Sequence, residues 1–141
     1  MLEEVLGVDS GNVHALVLLS AVLVADGQTD AALTAAERAV EADGRDPLAH
    51  IALGWAHLRR DDAQAAFASA NEALRLNRRS VDALAIRGAA LSALGSHRAA
   101  VETFAEVERT DPTFLDRNQQ FARYVSASQA VHSVGLVEFN P

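Results

Sequence analysis

The sequence predicts an all-α protein in which pairs of helices stack on one another, and three observations support this. Small residues recur every 34 positions, as at Gly54 and Gly88 or at Ala32, Ala66 and Ala100. Alanine, the residue with the highest helix propensity, accounts for 29 of the 141 residues. Capping and turn residues fall where this period places the ends of helices. Because the three signals agree, they favour a repeat architecture over a single closed core.

The first 34-residue unit, 13–46, is predicted to contain two helices. Asn12 is a suitable N-cap for the first helix, and Gly27 can adopt the left-handed conformation that ends it. Thr29 is predicted to cap the second helix, which ends before Gly44.

The next two units, 47–80 and 81–114, repeat this arrangement. Asp46 precedes Pro47, and such a pair is typical of an N-cap followed by proline at the first helical position. The remaining caps and turns are predicted at Asp61, Asp62, Ser80, Gly95, Ser96 and Asp111.

The two ends of the chain differ from the repeat. Residues 1–12 are predicted to be the tail of a preceding second helix, because Leu2 and Val5 keep its register. Residues 115–130 are predicted to form a C-terminal capping helix with a polar outer face. Residues 131–141 alternate imperfectly between apolar and other residues, which favours an extended or flexible tail.

Composition excludes several classes of protein. The chain has no cysteine, which rules out disulfides, thiolate metal sites and a cysteine nucleophile. A net charge of -7 argues against general binding of nucleic acid. No stretch of about 18 apolar residues is present, so we expect no membrane insertion. The acidic start is unlike a signal peptide, and we therefore expect a cytoplasmic protein.

No residue pattern predicts catalysis or a cofactor. His50 and His57 lie two helical turns apart, about 10 Å, which is too far for both to bind one ion. The remaining histidines, His14, His97 and His132, fall on different elements. Acidic residues cluster at turns and caps, where they stabilise helix starts. We therefore predict no catalytic residues, no metal site and no cofactor.

The 34-residue unit resembles the tetratricopeptide repeat (TPR), over residues 13–114. On the first helices the residues at the family's positions are Leu16, Leu19, Ser20, Leu23, His50, Leu53, Gly54, His57, Leu84, Arg87, Gly88 and Leu91, of which His50, His57 and Arg87 depart from the expected apolar type. On the second helices they are Ala32, Ala36, Ala39, Ala66, Ala70, Ala73, Ala100, Phe104 and Val107. The resemblance implies a right-handed superhelical α-α solenoid of about three TPR helix pairs, closed by the capping helix.

The resemblance also implies a concave groove lined by the first helices. Its predicted lining is His14, Val17, Ala21, Val24, Leu48, Ile51, Trp55, Leu58, Arg59, Asp82, Ala85 and Ala89. On the first helix of the middle unit, one apolar stripe consists of Leu48, Ile51, Trp55 and Leu58, and it contains the only tryptophan of the chain. Exposed in a groove, Trp55 would be a binding anchor. The alternative is that Trp55 packs in the core against a neighbouring helix.

Chaperone-binding members of this family hold a ligand carboxylate with lysine, asparagine and arginine side chains on the first helices. The matching positions of this sequence carry none of these residue types: Val17, Ala21, Ala52, Asp82 and Ile86. We therefore predict that the chain does not bind a chaperone tail through a carboxylate clamp.

These observations predict a non-catalytic scaffold that binds an apolar or amphipathic peptide or protein segment in the groove. Two alternatives stay open. The chain could be a homo-oligomeric module in which the 131–141 tail fills its own groove or that of a neighbour. It could also be the regulatory part of a larger enzyme.

Overall fold

In the computed structural model, residues 12–139 are described, and their side chains are described up to residue 134. This part of the chain consists of helices joined by short turns. The helices are α1 (Val13–Ala25), α2 (Thr29–Ala42), α3 (Pro47–Arg59), α4 (Ala63–Leu76), α5 (Val81–Ala93), α6 (His97–Thr110), α7 (Phe114–Arg117) and α8 (Ala122–Phe139), with a 3-10 turn over Gln119–Phe121. The protein is therefore all-α, as predicted.

The helices pack as three consecutive pairs, α1 with α2, α3 with α4, and α5 with α6. Each second helix also packs against the first helix of the next pair, so that the pairs form one continuous stack. The first helices α1, α3 and α5 contact one another in order and form one face of that stack. The last helix, α8, packs on α6 and α5 and covers the end of the third pair.

Three capping residues spaced by 34 begin the first helices as the sequence predicts. Asn12 Oδ1 accepts a hydrogen bond from the backbone N–H of Ala15 at 3.1 Å. Asp46 Oδ1 accepts one from Leu48 at 2.9 Å, and the Ser80 hydroxyl accepts one from the third residue of α5 at 3.2 Å. These bonds satisfy amide groups that have no partner within the helix.

The turns between the helices of a pair share a left-handed residue every 34 positions. Gly27 and Gly95 have φ values of +80° and +87°, which glycine adopts without steric cost. In the second pair the same position is Asp61, with a φ of +60°. Aspartate tolerates this conformation better than most residues, so the turn keeps its geometry without glycine.

The connections between pairs contain a repeated turn that the sequence analysis did not identify. Asp43, Asn77 and Asp111 lie 34 residues apart and each follows the end of a second helix in extended conformation. Each side-chain Oδ1 accepts the N–H of the residue two positions later, at 3.0 to 3.2 Å. This side-chain turn reverses the chain towards the next first helix.

Three local predictions need correction. Thr29 does not cap α2 but is its first residue, preceded by Gln28, which makes no side-chain cap bond. The capping helix predicted over 115–130 is interrupted at Asn118, whose backbone is non-helical and whose side chain bonds the Phe114 carbonyl at 2.8 Å. The helix resumes after the 3-10 turn and includes residues 131–139, for which an extended tail was predicted.

Helix in that last segment has a simple physical cause. Residues 131–139 continue a helix that is already formed, and extending a helix costs far less than starting one. Within the described part of the chain there is no strand with which an extended segment could pair. The tail of a preceding helix predicted for residues 1–12 lies outside the described residues, except for Asn12, as do residues 140 and 141.

Small residues allow the helices to approach closely. Ala32, Ala66 and Ala100, one in each second helix, have no exposed surface. A Cβ atom on Gly88 would lie 3.0 Å from the Phe104 ring, and one on Gly54 would lie 3.1 Å from an Ile86 methyl group. Both distances are shorter than ordinary van der Waals contact, so glycine is the residue that fits at these crossings.

His50 occupies a position that the repeat pattern reserves for an apolar residue. It is buried, and its Nε2 lies 2.9 Å from the backbone carbonyl oxygen of Gly44 in the preceding connection. A buried polar group that forms a hydrogen bond avoids most of the cost of leaving water. The histidine therefore ties α3 to the loop that leads into it.

We predict that Gly88→Val destabilises the fold, because the added methyl groups collide with Phe104. Overpacking of this kind lowers the free energy of unfolding by about 1–3 kcal/mol. Urea denaturation followed by circular dichroism measures the change. Gly44→Ala, in an exposed turn, is the control and should stay within about 0.5 kcal/mol of the parent. Equal stability of both variants would contradict the close approach of α5 and α6.

Candidate functional site

A cavity of about 170 Å³ lies on the face formed by the three first helices. Its walls come from α1, α3 and α5, and the 3-10 turn closes one side. The lining residues are Val17, Ser20, Ala21, Leu48, Ile51, Ala52, Trp55, Asp82, Ile86, Gln120 and Phe121. Most of these side chains are apolar, and Asp82 is the charged residue among them.

Trp55 combines the two roles that the sequence left as alternatives. Its side chain is half-buried and packs against the hydrophobic clusters on both sides of α3. It also lines the cavity, where its ring centroid lies 5.3 Å from that of Phe121 in a tilted arrangement. The Arg59 guanidinium lies 5.9 Å from the Trp55 ring centroid, within the range of a cation–π contact.

The C-terminal segment holds Phe121 in place. Phe121 is buried and also contacts the Phe114 ring, with centroids 6.0 Å apart. Just beyond it, the buried hydroxyl of Ser92 on α5 donates a hydrogen bond to the Tyr124 carbonyl at 3.0 Å. These contacts fasten the start of α8 to α5, so the 3-10 turn forms a fixed wall of the cavity.

Six of the twelve predicted groove residues line this cavity: Val17, Ala21, Leu48, Ile51, Trp55 and Asp82. The other six lie elsewhere. Val24 and Leu58 are buried in the hydrophobic clusters. Ala85 and Ala89 are fully buried, because α5 is covered by its neighbours and by α8. His14 and Arg59 are exposed and outside the cavity.

Five lining residues were not among the predicted groove residues: Ser20, Ala52, Ile86, Gln120 and Phe121. Ala52 and Ile86 were identified only as positions matching the carboxylate clamp, and all five clamp-matching positions line this one cavity. Gln120 and Phe121 belong to the segment that was predicted to form the capping helix, and no groove role was assigned to them. The repeat pattern carries no signal for these two residues, because they follow the last repeat.

A polar cleft of about 560 Å³ adjoins the apolar cavity and shares Leu48, Ile51 and Asp82 with it. Its charged lining residues are Asp46, Arg79, Asp82, Asp111 and Arg117. Two of these charges neutralise each other, because Arg117 Nη2 lies 2.5 Å from Asp111 Oδ2. Asp82 therefore stands at the border between an apolar and a charged surface.

The environment of Asp82 disfavours its ionised form. Removal of water by the surrounding protein raises the pKa of the Asp82 carboxyl above its ordinary value. Its own backbone N–H and the positive charge of Arg117 oppose this rise in pKa, whereas the negative charge of Asp111 adds to it. A group that neutralised Asp82 from the cavity side would remove this penalty.

Among the side chains that the structure describes, residues 12–134, no three histidine, aspartate or glutamate groups lie together in a way that could hold a metal ion. Nor is any helix within residues 12–139 both long enough and apolar enough to cross a membrane.

We predict that Phe121→Ala uncovers Trp55. Loss of the buried ring should lower the free energy of unfolding by about 3 kcal/mol and shift the tryptophan emission to longer wavelength. Since Trp55 is the only tryptophan of the chain, the emission reports the surroundings of this one residue. Leu94→Ala removes an exposed side chain and should change neither quantity. Unchanged emission in a destabilised Phe121→Ala would contradict the packing of the two rings.

Comparisons with known proteins agree with this architecture. Residues 13–56 match the family model described as tetratricopeptide repeat. The first TPR domain of Spaghetti (RPAP3), solved with the HSP90 peptide SRMEEVD, is 24% identical, with a TM-score of 0.71 over 88% of this chain and 96% of that one. The first TPR domain of human RPAP3 is 21% identical, with a TM-score of 0.73 over 89% and 98%.

MamA is a further similar structure, 22% identical, with a TM-score of 0.68 over 94% of this chain and 85% of that one. No curated protein matches the sequence. The matched repeat at 13–56 recurs in the helix pairs that follow it, and the fold of the whole stack is that of TPR domains. Residues 13–56 are therefore similar to the tetratricopeptide repeat, and the described part of the chain has the fold of TPR domains.

Proposed function

We propose that the chain is a non-catalytic scaffold that binds an apolar or amphipathic peptide or protein segment in the groove of its first helices. The observation that carries this proposal is the apolar cavity on that face, walled by Trp55 and Phe121. Aromatic side chains beside a cavity are common anchors of protein interfaces.

The cavity is large enough for one aliphatic or phenyl side chain of a ligand. For comparison, an engineered apolar cavity of about 150 Å³ binds benzene. Complete burial of a leucine, isoleucine or phenylalanine side chain stabilises a complex by about 1.5–3 kcal/mol. The rest of the ligand segment would then lie along the three first helices.

The ligand differs in charge from those in the similar structures. The first TPR domain of Spaghetti (RPAP3) was solved with the HSP90 peptide SRMEEVD, and the second TPR domain of human RPAP3 was solved with the HSP70 peptide SGPTIEEVD. Both peptides end in acidic residues. In this chain the positions that match the carboxylate clamp are apolar, apart from Asp82. A ligand that ends in carboxylates would meet repulsion from Asp82 and would find no cation among the cavity-lining residues.

We predict that Ala21→Phe abolishes peptide binding. Ala21 is exposed on the α1 wall of the cavity, so a phenyl ring there fills the space without disturbing the core. Peptides selected from a random phage-displayed library would be titrated against the protein, with Trp55 emission as the readout. We expect at least tenfold weaker binding to Ala21→Phe.

The matched control is Ala31→Phe, which adds the same ring at an exposed alanine of α2, away from the cavity. It should bind selected peptides as the parent does. Equal affinity of the parent and Ala21→Phe for every selected peptide would sink the groove assignment. Trp55→Ala is a poorer test, because Trp55 also packs in two hydrophobic clusters.

A second candidate function is self-association, which exposed apolar residues on α1 and α8 favour. Leu18 and Val22, neighbours on α1, are 67% and 52% exposed. Val131 and Val134 on α8 are 50% and 58% exposed. A contact between the α1 face of one copy and the α8 face of another would bury both surfaces in a head-to-tail assembly.

In that case the double variant Leu18→Glu/Val22→Glu should be monomeric at a concentration where the parent is oligomeric. Size-exclusion chromatography with light scattering measures the mass of each. Leu94→Glu, which places a charge on an unrelated exposed leucine, should keep the mass of the parent. A parent that stays monomeric at about 100 µM would argue against self-association.

A further inference from the structure

The negative charge of Asp82 restricts which peptide or protein segments can bind in the groove. Asp82 lies in the first turn of α5 and lines both the apolar cavity and the polar cleft. A segment that inserts a side chain into the cavity therefore lies near the Asp82 carboxylate. This inference rests on the proposed function, since it concerns the ligand of the same groove.

Asp82 forms no ion pair with the side chains described, those of residues 12–134. The nearest acting cation is Arg117, whose guanidinium is already bound to Asp111 and whose Nε lies 3.2 Å from the Thr113 hydroxyl. The other cleft carboxylate, Asp46, is used as the cap of α3. Asp82 is thus the carboxylate that lines both the cavity and the cleft and that forms neither a helix cap nor an ion pair with Arg117.

The neighbouring side chains leave a hydrogen bond to Asp82 for a ligand to make. Val17, Ile51 and Ile86 lie around the same cavity and offer no hydrogen-bond donor from their side chains. The Asp82 side chain is exposed, so a ligand cation can reach it and form a charge-assisted hydrogen bond, which is stronger than a hydrogen bond between neutral groups. A ligand carboxylate at the same place would be repelled, and an uncharged ligand would leave Asp82 without a partner.

We infer that the groove selects segments in which a lysine or arginine stands close to the aliphatic or aromatic side chain that fills the cavity, with Asp82 as the partner of the basic group. Two of the similar structures were solved with peptides that end in acidic residues, whereas this groove would prefer a segment that carries a basic residue. The ligand class is therefore a basic amphipathic segment.

The test uses a random peptide library displayed on phage and selected against the intact chain. We expect enrichment of lysine or arginine one to four positions from the apolar anchor. A selected peptide would then be synthesised with its basic residue and with norleucine or glutamate in its place. The parent protein should bind the basic form about tenfold more tightly than the norleucine form, and the glutamate form more weakly still.

Asp82→Asn should reduce this preference to within about twofold, because the amide keeps the shape of the side chain and removes its charge. Asp116→Asn is the matched control: it removes the same charge from an exposed position on α7 and should keep the full preference. Equal loss in both variants would show a general effect of net charge and would overturn the inference. Circular dichroism confirms that each variant is folded.

The inference and the proposed function fail in distinguishable ways. Peptides that bind the parent but not Ala21→Phe, and that show no preference for basic residues, would overturn the inference alone. If no selected peptide depends on Ala21, the groove is not the binding site, and both proposals are wrong.

Discussion

Close packing of very small side chains is the constraint on which this structure depends. The helices of each pair and of adjacent pairs approach so closely that Gly54 and Gly88 have no room for a Cβ atom against Ile86 and Phe104. Alanines fill the equivalent places on the second helices. When neighbouring helices lie close together, a helix with few large side chains still makes many van der Waals contacts. These contacts stabilise the stack although only 5% of the residues are aromatic.

The repeat also explains where the groove lies and why the end of the chain matters to it. Because the first helices stack in the same register, the equivalent faces of successive helices lie next to one another and form a continuous surface. The small residues Ala21 and Ala52 leave space on that surface. The chain after the last repeat then encloses the space, because Phe121 packs against Trp55 and completes the wall. The cavity is thus shared between the repeats and a segment outside them.

Sequence reasoning was most successful where the structure is local or periodic. The caps at Asn12, Asp46 and Ser80 and the left-handed turn glycines depend on a few neighbouring residues. The 34-residue period repeats the cap in all three pairs and the turn glycine in two of them. It was less successful for groove residues. The period assigns positions to a helix face, but Ala85 and Ala89 are buried on α5, which is covered by neighbouring helices and by α8, and the packing of α8 depends on contacts distant in sequence.

The sequence by itself determined the all-helical class, the helix pairs and the resemblance to the tetratricopeptide repeat, because spacing, caps and small residues are local properties that repeat. Tertiary structure alone decided the shape and charge of the groove. It brought Phe121 across to Trp55, placed Asp82 where an apolar cavity meets a charged cleft, and paired Arg117 with Asp111 instead. Those outcomes depend on how a non-repeating segment packs against the last pair, and no periodic pattern encodes that contact.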